Sequence, residues 1–177
     1  MIIPPIIHAD NENFKRILDS EISQLGPMAD LNHIDVSKVT FMGYAFDRSD
    51  FNGDISKWDV SNVIGMEYMF NHSEFNGDIS NWNLKSLISM SCMFYDSKFN
   101  GDISSWDVSN VRHMNALFRG SNFQGDISCW NIRRNLVMDD DLKRVLENSH
   151  NLRNQREAIN LKIGLSISNQ IQSTKSL

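Results

Sequence analysis

Cysteine is scarce: Cys92 and Cys129 are the two in 177 residues. Two thiols build neither a disulfide framework nor a tetrahedral zinc site, so the expected setting is a reduced, cytoplasmic one. Long apolar runs are missing as well. The most apolar stretch, Met1 to His8, is interrupted by Pro4 and Pro5, lacks a basic flank and falls far short of a bilayer span. Neither a secretory signal nor a membrane segment is predicted from it. Nor is there an excess of basic charge, since 17 Lys and Arg stand against 22 Asp and Glu for a net charge of −5. Nucleic acid and anionic membranes recruit basic surfaces, so the composition argues against both as partners. What remains, 41% hydrophobic and 22% charged residues, is the make-up of an ordinary folded chain long enough for one core.

The sequence is organised as a repeat. Phe-Asn-Gly-Asp-Ile-Ser starts at Phe51, Phe75 and Phe99, and Phe-Gln-Gly-Asp-Ile-Ser at Phe123, which sets the period at 24 residues. One period back, Asp30, Leu31, Ile34, Val36, Val39, Met42 and Phe46 align with Asp54, Ile55, Trp58, Val60, Val63, Met66 and Phe70, so 27–50 is a degenerate first unit. Forward, Ile127, Trp130, Ile132, Met138 and Leu142 keep the register while Asn135 breaks it, and the fifth unit decays into a cap.

Within a unit, Trp58 and Val60 alternate around Asp59 as in a strand, whereas Val63, Met66, Met69 and Phe70 recur every three to four residues as on a helix face. Each unit is therefore expected to be a short strand and then a short helix. Ser61-Asn62 would cap that helix, and Asn52-Gly53 would supply a left-handed turn. One unit cannot bury its apolar side alone, so neighbours must stack and align their isoleucines, tryptophans and phenylalanines in ladders. Before the repeat, Asp10 to Phe14 followed by Ile17, Leu18, Ile22 and Leu25 predicts an amphipathic helix ending at Gly26-Pro27. After it, Asp139, Asp140 and Asp141 open a helix carrying Leu142, Val145 and Leu146. A further helix over about 151–162 and a loose Ser-, Asn- and Gln-rich tail over 166–177 are expected next. The resulting organisation is an N-terminal helical cap (1–26), the repeat (27–146) and a C-terminal helical cap with tail (147–177).

The order Ile-x-x-Trp-x-Val-x-x-Val has the spacing of a leucine-rich repeat's strand segment. The units Phe-Asn-Gly-Asp-Ile-Ser-x-Trp-Asp-Val-Ser-Asn-Val at 51–63 and 99–111, each followed by Met and Phe, resemble the BspA-like bacterial leucine-rich repeats of the mycoplasma lipoprotein-associated type. The resemblance covers about 27–145. It implies a non-enzymatic surface or adhesion protein that binds other proteins. Taken with the two periodicities, it leads to an α/β expectation: a right-handed leucine-rich-repeat-like solenoid of about five 24-residue strand-helix coils with helical caps.

Trp58, Trp82, Trp106 and Trp130 sit at the inward strand position and are expected in the core rather than in a ligand-stacking platform. The column Asp54, Asp78, Asp102, Asp126 invites comparison with calcium-binding repeats, but those recur every nine residues, so hydrogen bonds to turn amides are expected instead. No metal or cofactor is expected. His8, His33, His72, His113 and His150 share no repeat column and stand beside no activated nucleophile, which predicts solvated surface histidines. Cys92, beside the core Met93 and Phe94, should be a small buried or semi-buried filler and Cys129 an outward thiol.

With Trp58 and Val60 inward, the outward positions are Lys57 and Asp59, then Asn81 and Asn83, Ser105 and Asp107, and Cys129 and Asn131, with Asp35 heading the column. This strand face, expected to be concave, is the predicted binding site for a protein partner: Asp35, Lys57, Asp59, Asn81, Asn83, Ser105, Asp107 and Asn131. The segment 27–146 carries 16 acidic and 11 basic residues, which favours a basic partner. The expected function is that of a monomeric, non-enzymatic interaction module of inhibitory or immunity type. The alternatives are a bacterial surface adhesin or secreted host-interaction protein and, from another class, a hydrolase using the carboxylate columns.

Overall fold

The N-terminal segment from Ile7 stands where a unit preceding the repeat would lie. In the computed structural model, which describes residues 5–133 and 139–150, β1 (Ile7–His8) pairs in parallel with β2 (Ile34–Asp35), Ile7 opposite Ile34 and His8 opposite Asp35. α1 (Phe14–Leu25) follows β1 and turns Phe14 and Leu18 into the core. The Phe14 ring meets Trp58 edge-on at 5.7 Å, so the helix is held against the first units. It ends where Gly26, at φ 88°, donates its amide to the Ile22 carbonyl at 2.8 Å, a left-handed stop that glycine adopts at little cost. α2 (140–150) closes the other end. Asp139 caps it by accepting the Leu142 amide at 2.8 Å, Leu142 and Val145 are buried, and the buried Ser149 hydroxyl accepts the Ile127 amide. The expected helix over 151–162, the tail over 166–177 and the register break at Asn135 lie outside the described residues.

Between the ends, residues 24 apart lie one above another. Single parallel bridges join Asp30 to Asp54 and run from Phe41 through Gly65 and Ser89 to His113. The expected five-coil strand-helix solenoid is not what forms. Among the described residues regular structure amounts to two helices, both in the caps, and one two-stranded parallel sheet. The segment read as a helix is a chain of tight turns. Tyr44, Arg48, Tyr68, His72, Cys92, Asp96 and Ala116 all have φ between 48° and 61°, so every fourth residue is left-handed and no α-helix can pass through. Alternate amides then point out of the unit: Met42, Tyr44, Phe46 and Arg48 donate to the carbonyls of Gly65, Glu67, Met69 and Asn71. The alternating amides of Ala45, Asp47 and Ser49 close four-residue turns onto Met42, Tyr44 and Phe46. Successive turns bring every third or fourth residue inward just as a helix would, which is why apolar spacing alone pointed to one.

The strand reading fails for a related reason. Trp58 and Val60 do point inward and Lys57 and Asp59 outward, but the Trp58 amide closes a turn onto Ile55 and the Val63 amide one onto Val60. Ser61-Asn62 therefore caps no helix; Asn62 instead donates its side-chain amide to the Ser37 carbonyl of the preceding unit. Gly53, Gly77, Gly101 and Gly125 are also not left-handed, since among the described residues Gly26 and Gly120 are the positive-φ glycines. They are needed for closeness: a side-chain carbon on Gly77 would sit 2.8 Å from the Phe75 ring.

The interior is aromatic. Phe51, Phe75, Phe99 and Phe123 form one column of near-parallel rings 6.1 to 6.3 Å apart, and Phe46, Phe70, Phe94 and Phe118 form a second at 5.3 to 5.9 Å. Each buried tryptophan satisfies its indole N–H by reaching back 27 residues: Trp58 to the Leu31 carbonyl, Trp82 to Ile55, Trp106 to Ile79 and Trp130 to Ile103. The tryptophans are core, as the spacing predicts. Because Ile55 keeps its bond from the Trp58 amide when the indole is removed, Trp82→Phe is expected to cost only about 1 to 2 kcal/mol. Urea unfolding followed by the remaining tryptophans measures it.

Candidate interaction surface

The predicted polar column lies where the alternation placed it. Lys57, Asp59, Asn81, Asn83, Ser105, Asp107, Cys129 and Asn131 are exposed and Asp35 is half-buried. Much of that column, however, holds the backbone together. Asp35, Asp59, Asn83 and Asp107 each accept the amide two residues on, from Ser37, Ser61, Lys85 and Ser109, at 3.0 to 3.1 Å. Asp35 also meets His8 Nδ1 at 2.8 Å. The Ser105 hydroxyl is engaged with the Ser80 carbonyl and the Lys57 amide with the Asn32 side chain. The hydroxyl and amide of Ser37, and then His8, hold the Asp35 carboxyl down at about 2. The Ser61 and Ser109 hydroxyls and amides lower Asp59 and Asp107 in the same sense. Reversing charge at Asp59 and Asp107 would therefore remove turn acceptors as well as surface charge. Such changes are expected to lower stability as well as alter binding.

The second carboxylate column behaves as expected. Asp30, Asp54, Asp78, Asp102 and Asp126 accept the amides of Asn32, Ser56, Ser80, Ser104 and Ser128 at 2.9 to 3.0 Å. Among the described residues no group of three or more His, Cys, Asp or Glu is placed to hold a metal ion. Thermal melting with a chelator and with millimolar calcium is accordingly expected to give one midpoint, and a rise in calcium would make the Asp54 column a metal site.

The histidines depart from the sequence reading at one position. His33 is half-buried rather than solvated, its side chain 8% exposed, and its Nε2 lies 2.9 Å from Glu21 of α1, which ties the helix to the first unit. Cys129 is exposed as expected, and Cys92 is half-buried.

The side of the molecule formed by the left-handed turns was missed as a surface because its residues were assigned to helices. Its columns change along the repeat, as the outward positions 57, 81, 105 and 129 also do. Residues 44, 68, 92 and 116 are Tyr, Tyr, Cys and Ala, residues 41, 65, 89 and 113 are Phe, Gly, Ser and His, and residues 48, 72, 96 and 120 are Arg, His, Asp and Gly. Phe41, Tyr44 and Ile64 are each about half exposed, at 48%, 50% and 51%. The Tyr44 and Tyr68 rings stack 4.9 Å apart and within 6° of parallel. Tyr68 is raised above its ordinary pKa, chiefly by its hydrogen bond to Cys92. Further along, His72 leans on the Tyr95 ring at 5.6 Å. The signal available beforehand was the column variation itself, together with the confinement of all three tyrosines to this segment of the repeat.

No helix among the described residues is long and apolar enough to cross a membrane. No curated protein and no solved structure matches the chain. A family described as "Mycoplasma protein of unknown function, DUF285", related to the BspA-like repeat proteins in general, matches residues 13–130 and 80–175. No leucine-rich-repeat family is shown by that match. The repeated units and the cap helices α1 and α2 thus fall within matched segments, and the chain belongs to the DUF285 family.

Proposed function

We propose that the chain is a non-enzymatic protein-protein interaction module, a BspA-like binding protein in the sense the repeat units suggest. The observation that carries the reading is the division of labour between columns. The inward columns and the Asp and Asn turn columns are nearly invariant, whereas the outward positions and the turn-bearing face change along the repeat, and the latter leaves Phe41, Tyr44 and Ile64 about half in water. The carboxylates a hydrolase would use are engaged with turn amides. The predicted polar column contributes its variable positions, Lys57, Asn81 and Ser105, and the charge of Asp59 and Asp107, toward a partner more basic than acidic. Affinity capture from native lysate tests the reading, with an unfolded core variant as the control. A partner retained by the folded chain alone, and reconstituted with it as a defined complex in ultracentrifugation, is the expected result. Absence of any such partner under crosslinking conditions overturns it. Fractionation of the native cell decides between a cytoplasmic inhibitory role and a surface role.

A further inference from the structure

The geometry points to the face of Phe41, Tyr44 and Tyr68 as a docking site for an arginine side chain of a protein partner, an inference that rests on the interaction-module reading. The first argument is conformational. Tyr44 and Tyr68 sit at φ 61° and 57°, in the left-handed region that costs an L-residue roughly 1 to 2 kcal/mol and that glycine occupies freely. The fold requires that conformation in this column but not a tyrosine, since Cys92 and Ala116 serve equally at φ 57° and 53°. The Tyr44 ring is half in water, so core packing does not account for it either.

The second argument is the shape of the surface around the rings. Phe41 lies over Gly43 and Gly65, where any side chain would collide with its ring. Two glycines thus make room for a half-exposed phenylalanine beside the tyrosine stack. The result is an aromatic patch of Phe41 and the Tyr44–Tyr68 stack that is partly open to solvent.

The third argument is an unanswered charge. Glu67 Oε2 is shielded from solvent and has no hydrogen-bond partner. It borders the same space over Gly65 as the Phe41 ring, each 2.7 Å from where a side-chain carbon would stand. No Lys or Arg among the described residues forms an ion pair with it. A buried carboxylate oxygen without a donor is unfavourable, and a donor reaching it past the half-exposed Phe41 ring would relieve that cost. Guanidinium suits both features: its plane stacks on tyrosine or phenylalanine while its N–H groups donate to a carboxylate, and it sheds water more readily than an ammonium. The acidic balance of 27–146 draws in the same sign of charge.

The test uses the full chain and three fluorescein-labelled peptides, in which arginine, citrulline or lysine alternates with glycine, read by anisotropy. Citrulline keeps the shape of arginine and removes its charge. The arginine peptide is expected to bind about tenfold more tightly than the citrulline peptide, with lysine between them. Tyr44→Ala with Tyr68→Ala should weaken arginine binding about tenfold and Glu67→Gln severalfold, whereas Tyr44→Phe with Tyr68→Phe should retain it. Should the double alanine variant not fold, the single Tyr44→Ala and Glu67→Gln changes carry the same decision. Equal affinity for citrulline, or indifference to these changes, overturns the site. Loss of arginine binding through Asp59→Asn and Asp107→Asn instead would move the docking surface to the opposite face and leave the module reading standing. Retention on phosphatidylserine vesicles that depends on Tyr44 would assign the patch to a membrane and overturn the proposal.

Discussion

Phe75→Ala is expected to destabilise the chain by about 3 to 5 kcal/mol, enough to unfold much of it at ambient temperature. The Phe75 ring is wholly buried and stacks on Phe51 and Phe99 along its own column. It also lies 4.4 Å from Phe70 and 6.2 Å from Phe46 in the neighbouring one. Removing it opens a void between units held on both sides by other rings, so little can collapse into the space. Tyr44→Ala, by contrast, removes a half-exposed ring and should cost about 1 kcal/mol, most of it the lost stacking on Tyr68. Chemical denaturation of both variants beside the unchanged protein measures the difference. Equal losses would mean that the aromatic columns are not the principal source of stability.

Acid is expected to destabilise the protein only below about pH 4, where aspartates of the unfolded chain begin to take up protons. Asp54, Asp78 and Asp102 are lowered chiefly by the amides of Ser56, Ser80 and Ser104. Asp35, Asp59 and Asp107 are lowered chiefly by the hydroxyls of Ser37, Ser61 and Ser109. A carboxylate whose folded pKa lies below its unfolded value contributes fully at neutral pH, where both states are ionised. As the pH falls below about 4 the unfolded chain takes up protons first, so stability declines until the folded carboxylates are protonated too, at about 2 for Asp35. The melting midpoint should therefore be level from pH 7 to 5 and fall steeply from 4 to 2. Because hydrogen bonds and not distant charges dominate, high salt should leave that slope in place. Asp59→Asn preserves the acceptor, as Asn83 already does in the same column. It should be close to neutral at pH 7 with a shallower acid limb. A midpoint unchanged down to pH 2 would show that the turn carboxylates do not hold the fold.

The 24-residue period and the inward positions were readable from the residues themselves, because packing against an identical neighbour demands the same side chain at each step. Trp58, Val60, Met66 and Phe70 recur and are buried; Asp54 and Asp59 recur and accept turn amides. The cap helix from Phe14 and its stop at Gly26 were legible through apolar spacing and a glycine before a proline. The outward column from Lys57 to Asn131 followed from simple alternation.

What tertiary structure decided is where the backbone hydrogen bonds go. Spacing of three to four residues is common to an α-helix and to successive tight turns, and the two differ in whether an amide serves its own segment or the next unit. In this protein the amides of Met42, Tyr44, Phe46 and Arg48 reach carbonyls 23 residues ahead. That choice becomes available only when a neighbouring unit lies alongside, so no property of one unit read alone could reveal it. The same choice forces left-handed backbone at Tyr44 and Tyr68 and turns their rings outward beside Phe41. The polar face was therefore determined by the sequence through alternation, whereas the aromatic face exists because units 24 residues apart exchange the hydrogen bonds that a helix would have kept to itself.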